Sequence, residues 1–276
     1  MTSDTLAGRP SILRLVWSQI RYQNKIFWRT PIAAFFTLVF PLMLLVLFTA
    51  IFGNDQIEGL GVTTAQFYTP GLAVFAAVSA TYTNLAIGTS ISRDAGILKR
   101  VRGTPIPPVV YIAGRIGSAV YIAFLAVVVM MGVGIAFYGV ELFPRTLGAA
   151  LLTFFVGTSC FAALGMFVAA VSPNGDTTPA ITNGTLLPIA FISDVFIPLN
   201  DPPGWMVVAG DFFPLKPFAV VFREAFDPTL SGAQFHWPEL GQLVVWGMVA
   251  AALAIRFFKW EPISGGSRRR GNRDLE

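Results

Sequence analysis

Residue types that carry catalysis are scarce in this chain, and the scarcity is the first guide to what it does. One histidine, His236, and one cysteine, Cys160, cannot between them close a tetrahedral metal site. No glycine is followed by lysine, so the G-x-x-x-x-G-K-[ST] loop whose amides cradle phosphates is missing, and the chain is not expected to hydrolyse ATP by itself. His236 stands beside Trp237 and reads as an interfacial surface residue. Cys160 lies in an apolar run and reads as a packing residue with no intramolecular disulfide partner.

The remaining charges are concentrated in a few places. Residues 92–105 open with Arg93 and Asp94, gather Lys99, Arg100 and Arg102 toward their end, and close on Gly103 and Pro105. That is the charge order a helix dipole favours, followed by residues that stop a helix. Beyond Gly96, the residues Ile97, Leu98 and Val101 make a short apolar face, suited to a groove on another protein. The competing reading is a basic loop that only sets orientation. Arg115 and Asp194 fall near the ends of apolar runs, where Arg115 is expected to snorkel to headgroups and Asp194 to be hydrated or to take a substrate or helix-packing role. No ionisable relay lies in mid-run, which argues against ion-coupled transport.

What must position these residues is a set of apolar runs. They cover about residues 32–52, 70–91, 109–138, 147–171, 178–197 and 240–258. A helix rises about 1.5 Å per residue, so about 20 residues cross a hydrocarbon core of about 30 Å. With 54% hydrophobic and 12% charged residues, the expected fold is an all-α polytopic membrane protein with six transmembrane helices. Residues 1–262 are read as a single domain, and 263–276, with Arg268, Arg269 and Arg270 in a Gly/Ser-rich setting, as a disordered basic cytoplasmic tail.

Lys and Arg alternate between the two sides. Residues 1–31 hold Arg9, Arg14, Arg21, Lys25 and Arg29, the second loop holds Arg93, Lys99, Arg100 and Arg102, and the end of the chain adds Arg256, Lys259 and Arg273 to the arginine run. The other side has none in the first loop, Arg145 in the third, and Lys216 and Arg223 in the fifth. Both termini and the second and fourth loops are therefore expected to be cytoplasmic, although the fourth, 172–177, has no basic residue to support this. The net charge of +4 is then an orientation signal directed at anionic lipids, with no nucleic acid partner. The N-terminal basic region and its apolar run are too long for a cleaved signal peptide. On a helical wheel Arg14, Arg21, Lys25 and Arg29 share an arc of about 80°, with Ile12, Leu15, Val16, Ile20, Ile26 and Phe27 spread over the rest. An interfacial amphipathic helix over 11–30 is expected to lie on the cytoplasmic leaflet.

The outer segment 199–239 contains two apolar stretches, 205–210 and 218–222, punctuated by Pro203, Gly204, Pro214 and Pro217. They are too short to span and too apolar for water, so they read as a re-entrant or interfacial hairpin. It could close the external end of a pathway, with Asp194, Pro198, Trp205, Pro214 and Pro217 as gate candidates, or it could be a passive lid.

Taken in order, these motifs carry a resemblance. The stretch 93–105, then Ser193-Asp-Val-Phe-Ile-Pro198, Pro203-Gly-Trp205, Phe213-Pro-Leu-Lys-Pro217 and Val221-Phe-Arg-Glu-Ala225 resemble the membrane subunits of type-2 ABC exporters, the group that includes daunorubicin-resistance permeases. Asp194 stands where such proteins often have Gly or Ser, and Ile97 where threonine is commoner. The resemblance implies a permease that forms the translocation pathway for a drug-like, lipid or other amphipathic compound. It implies a cognate ATPase subunit that binds ATP and Mg2+, with no cofactor in this chain, and a second permease copy, as a homodimer or a pair. The ATPase-coupling helix would comprise Arg93, Asp94, Gly96, Ile97, Leu98, Lys99, Val101 and Arg102. Pro41, Pro179 and Pro188 would loosen spans one and five. The setting implied is the plasma (inner) membrane of a prokaryote. A channel or ion-coupled secondary transporter is the alternative, followed by a membrane enzyme or scaffold.

Overall fold

The computed structural model describes residues 11–57, 61–196 and 202–261. Pro198 and the tail 263–276 lie outside the described residues. Among the described residues ten helices follow in order, several with a recognisable local cause. Helix α1, Ile12–Trp28, starts at Ser11, whose hydroxyl accepts from the Arg14 amide at 3.4 Å. The span α2, Pro31–Phe52, begins on a proline, which suits a first turn, and ends at Gly53 with φ of 73°. Within it the backbone widens into a π turn at Phe35–Val39, over the stretch that contains Thr37, whose carbonyl Pro41 cannot bond.

Helix α3, Thr64–Asp94, is capped by Thr63 and tolerates Pro70 inside it. It also widens, at Ser79–Asn84, where the Ser79 and Thr81 hydroxyls donate back to the Phe75 and Ala77 carbonyls at 2.8 Å. The six-residue α4, Ile97–Arg102, follows Gly96, whose φ of 69° turns the chain as few other residues could. Then come α5, Pro108–Tyr138, and α6, Leu147–Val171. They are followed by α7, Thr178–Ile192, α8, Gly204–Phe212, α9, Leu215–Glu224, and α10, Trp237–Phe257.

The all-α polytopic reading holds: α2, α3, α5, α6 and α10 are each long and apolar enough to cross a membrane, and a sixth span results if the bent α8–α9 pair is taken as one. The expected fifth span needs correction. Helix α7 has 15 residues, about 22 Å of rise, and stops at Ile192 because Asp194 takes a left-handed φ of 56°. Pro179 sits in its first turn, where no backbone bond is lost, so it does not loosen the span, while Pro188 is internal. The second span is longer than its apolar run because the Thr63 cap starts it early and Asp94 ends it late.

Helix α3 is the centre of the bundle, with every residue from Thr64 to Val78 buried. Close backbone approach at small residues takes the place of a hydrophobic drive between helices in lipid. At Gly165 of α6 a Cβ would sit 2.7 Å from the Tyr82 carbonyl oxygen and 2.8 Å from that of Thr81. At Gly114 of α5 it would sit 2.3 Å from Gln19 Cβ, so α1 is seated directly on α5. Cys160 is buried against Gly247 of α10, as a packing residue should be.

One end of the bundle collects α1, α4, the 172–177 turn and the segment after α10, where Lys99 and Glu261 stand 3.8 Å apart. The opposite end collects the remaining loops. There Gln66 donates to the Glu141 carbonyl at 3.2 Å, Arg145 to that of Leu230 at 2.7 Å, and Asn54 to that of Tyr138 at 3.1 Å.

Candidate functional site

Three constellations stand out, two at the ends of the bundle and one between them. At the α4 end, Arg93 and Asp94 do not belong to the short helix as the charge pattern suggested. They form the last turn of α3, because Gly96 separates the two helices. Arg93 is 1% exposed, and its guanidinium donates to the carbonyls of Ala169 and Ser172, each at 2.8 Å, with Nε 3.2 Å from Asp94 Oδ1. Those carbonyls lie at the C-terminus of α6, where the helix leaves acceptors without donors and the dipole favours a cation. The Asp94 carboxylate accepts from the Gly175 amide at 2.6 Å, just ahead of α7. The turn is itself tied by Ser172 Oγ to Thr178 Oγ1 at 2.7 Å and by the Thr177 amide to Asn174 Oδ1 at 2.8 Å.

On α4, Leu98 is fully buried and faces the bundle, whereas Ile97 is 43% exposed and Val101 intermediate. The apolar face is therefore split: its central residue anchors the helix, and Lys99, Arg100 and Arg102 are what the helix displays outward. Arg115, expected to snorkel, is instead buried. It donates to Tyr111 Oη at 2.8 Å and Ser92 Oγ at 2.9 Å in space that only the missing side chain of Gly88 leaves open.

Helix α1 presents Arg14, Arg21, Lys25 and Arg29 on its exposed side, with the Arg21 guanidinium 5.4 Å from the Trp17 ring. Its opposite arc, with Phe27 buried and Gln19 and Ile20 against Gly114 and Gly117, packs on α5. Only part of the expected apolar arc meets protein: Ile20 and Phe27 turn inward, whereas Ile12 and Ile26 stay exposed at 65% and 43%.

Between the ends, the widened turns of α2 and α3 carry polar side chains. Asn84 donates to the Thr37 hydroxyl of α2, and Tyr82 shares a 2.6 Å hydrogen bond with Thr185 of α7. Nearby residues of α3 thus reach opposite neighbours, and Thr83, Asn84, Ile87 and Gly88 on the same stretch are half-exposed. Helix α3 is thus flanked here by α2 and α7, and we refer to its partly exposed stretch between them as the groove. Asn183 and Thr185 are exposed on α7 beside Leu187 and Phe191, whereas its Thr178 and Thr182 are buried.

At the far end, α8 and α9 meet at 86°. Pro214 stands at the break, whereas Pro217 lies buried in the first turn of α9 and does not divide the hairpin. The carbonyls freed at the bend are met from α10: Gln242 donates to Asp211 and Phe212 at 2.5 and 3.2 Å, and Trp246 Nε1 to Phe212 at 2.9 Å. These two donors lie roughly 8 and 14 Å along α10 from Trp237, so the bend sits that far along α10, on an exposed face, with these carbonyls satisfied. Lys216 and Asp211 pair at 2.8 Å, and Phe218 fills the space left by Gly157 of α6. Trp205 is 66% exposed on α8. Asp194 offers its carbonyl to Arg223 Nη1 at 3.0 Å, and Arg223 lies 4.3 Å over the Phe67 ring beside a 220 Å³ cavity lined also by Gln66, Glu224 and Asp227. His236 is more than a surface residue: its Nε2 is 2.9 Å from Glu224 Oε2, joining the end of α9 to the start of α10.

Residues 14–226 match the ABC-2 type transporter family. The chain belongs to that family. Among ABC-2 permeases it is 30% identical over 240 residues to the daunorubicin resistance ABC transporter permease protein DrrB1 of Streptomyces coeruleorubidus, covering 83% of this chain and 80% of that one. It is 25% identical over 244 residues to the putative transport permease ycf38 of Cyanophora paradoxa, covering 84% and 83% of the two chains. It is also 25% identical over 177 residues to the inner membrane transport permease YadH of Escherichia coli K12, covering 61% and 67%. The protein is a multi-span transport permease subunit. For an ABC-2 permease, the residues that sequence reasoning misread were Arg93, Asp94 and Arg115. The available signal was arginine next to carboxylate at the end of an apolar run, a costly placement unless the pair is used.

Proposed function

We propose that this permease forms the translocation pathway of an ATP-driven exporter and that a separate ATPase subunit, carrying ATP and Mg2+, docks on α4. The observation that carries the reading is the split face of α4: Leu98 holds the helix to the bundle while Lys99, Arg100 and Arg102 face away from it. A short helix fixed on one side and cationic on the other suits an acidic groove on a partner. In this reading that end, with α1 and both termini, is cytoplasmic, in agreement with the Lys/Arg asymmetry.

The groove over α3 supports the pathway. The exposed Asn183 amide at membrane depth is poorly served by lipid tails, so this face turns toward a second permease copy and the cargo between them. Hydroxyl and amide groups flanked by Phe35, Phe36, Leu187 and Phe191 suit an amphipathic compound, consistent with a relative named for daunorubicin resistance. The hairpin α8–α9 closes the outer end.

The test uses charge reversal of Lys99, Arg100 and Arg102 to Glu. Co-purification with a co-expressed ATPase should be lost while membrane insertion is kept; retained binding refutes α4 as the docking site. In a Cys160→Ala background, single cysteines at Lys99 and Asp176 should be shielded from an impermeant thiol reagent in intact cells, and cysteines at Asp55 and Ala233 should label. Labelling at position 99 would invert the topology.

A further inference from the structure

We infer that Arg93 and Asp94 are positioning residues that fasten the end of α3, from which α4 turns off, to the α6–α7 turn, so that the ends of α3, α6 and α7 move as one body. The inference rests on the reading of α4 as a docking helix for its purpose, but its geometry stands independently. Gly96, with φ of 69°, makes the turn between α3 and α4, and Leu98, fully buried just beyond it, seats α4 on the same end of the bundle. A push on α4 is therefore delivered to the end of α3.

Arg93 and Asp94 carry it onward from there. Arg93 holds the last carbonyls of α6 with two bonds of 2.8 Å, and Asp94 holds the Gly175 amide at 2.6 Å, in a turn that runs straight into α7. The guanidinium is fixed and planar and reaches two acceptors at once, which an ammonium on a flexible stem does less well. Its burial is tolerated because the pair and both carbonyls satisfy it. Helix α7 flanks the groove and α3 runs along it, so displacement at this end is delivered to the groove rather than to the periphery. Arg115, through Ser92 and Tyr111, holds the same turn of α3 to α5 and keeps it from sliding along the bundle axis.

The experiment uses the full permease in lipid nanodiscs, with Cys160→Ala and spin labels on cysteines at Lys99 and Asp176, both exposed. The parent should show one narrow distance distribution. Asp94→Ala should broaden it and speed amide exchange over 172–177 at least tenfold. The Asp94 side chain is 30% exposed, so its truncation leaves no buried void and the variant should fold. Asp94→Asn keeps an oxygen for the Gly175 amide and should restore the narrow distribution. With a co-expressed ATPase, Asp94→Ala should still co-purify it but lower transport per ATP hydrolysed at least tenfold. An unchanged distribution and exchange rate in Asp94→Ala would overturn the inference, as would equal loosening in Asp94→Asn. If Asp94→Ala loosens the turn while charge reversal on α4 leaves ATPase binding intact, the fastening stands and the docking reading fails.

Discussion

Gly165 offers the sharpest test of the packing that shapes the groove. An alanine there would place Cβ 2.7 Å from the Tyr82 carbonyl oxygen, 2.8 Å from that of Thr81 and 3.1 Å from Tyr82 Cα. Ordinary contact begins near 3.4 Å, so α6 and α3 must separate by roughly 0.7 Å, and because the obstructing atoms are backbone no rotamer change can relieve the clash. Overpacking of this kind costs about 1–3 kcal/mol. A cost of about 2 kcal/mol corresponds to a fall in melting temperature of roughly 4–8 °C in a chain of this size. The obstructed backbone is the π turn that carries Tyr82 and Asn84, so the same displacement should weaken the Tyr82–Thr185 bond and reduce transport more than stability. Gly184→Ala is the control: nothing lies within 4 Å of its Cβ position, and the change should leave the melting temperature equal or higher. Thermal unfolding of both variants in nanodiscs, read beside transport in vesicles, decides the matter. A Gly165→Ala protein with parental melting temperature and transport would show that α3 and α6 do not touch as described.

The outer hairpin separates two lysine substitutions that look equivalent in sequence. Val221 is 1% exposed and Val208 70%, so Val221→Lys should cut folded yield or lower the melting temperature through a buried unpaired charge costing about 3 kcal/mol or more, while Val208→Lys should express normally; equal yields would place α9 at the surface. Leu98→Asp should destabilise the permease itself by about 2–5 kcal/mol, since Leu98 is fully buried, and should do so without any ATPase present in a chemical denaturation series. Gln242→Ala together with Trp246→Phe should leave the bend carbonyls without donors and raise proteolysis or amide exchange around 211–214, with no change in exchange at 172–177. Exchange at the bend that matches the parent would mean that water, not α10, satisfies those carbonyls.

Much of this molecule is determined by local sequence. Hydropathy over windows of about 20 residues reports directly on the cost of exposing backbone and side chains to lipid, so the spans of α2, α3, α5, α6 and α10 are legible without a structure. Caps and breaks are local too, and for that reason Ser11 begins α1, Gly103 ends α4 and Pro214 breaks the hairpin where residue type alone would put them. Family membership was legible from the order of motifs. What the chain could not disclose is which neighbour each side chain meets. The wheel of α1 separates basic from apolar but cannot say which apolar residues α5 takes, Ile20 among them, and which, like Ile12 and Ile26, stay exposed. The dipole order of 92–105 is satisfied equally by one helix or by two joined at Gly96. The fourth loop had no basic residue to place it, and the bonds from Gly175 to Asp94 and from Arg93 to Ser172, across 81 and 79 residues of sequence, set it at the α4 end. An arginine such as Arg93 is costly in isolation and well accommodated once the C-terminus of another helix supplies its carbonyls. Its role therefore belongs to the packed bundle, because the free energy that decides it comes from groups 76 and 79 positions away.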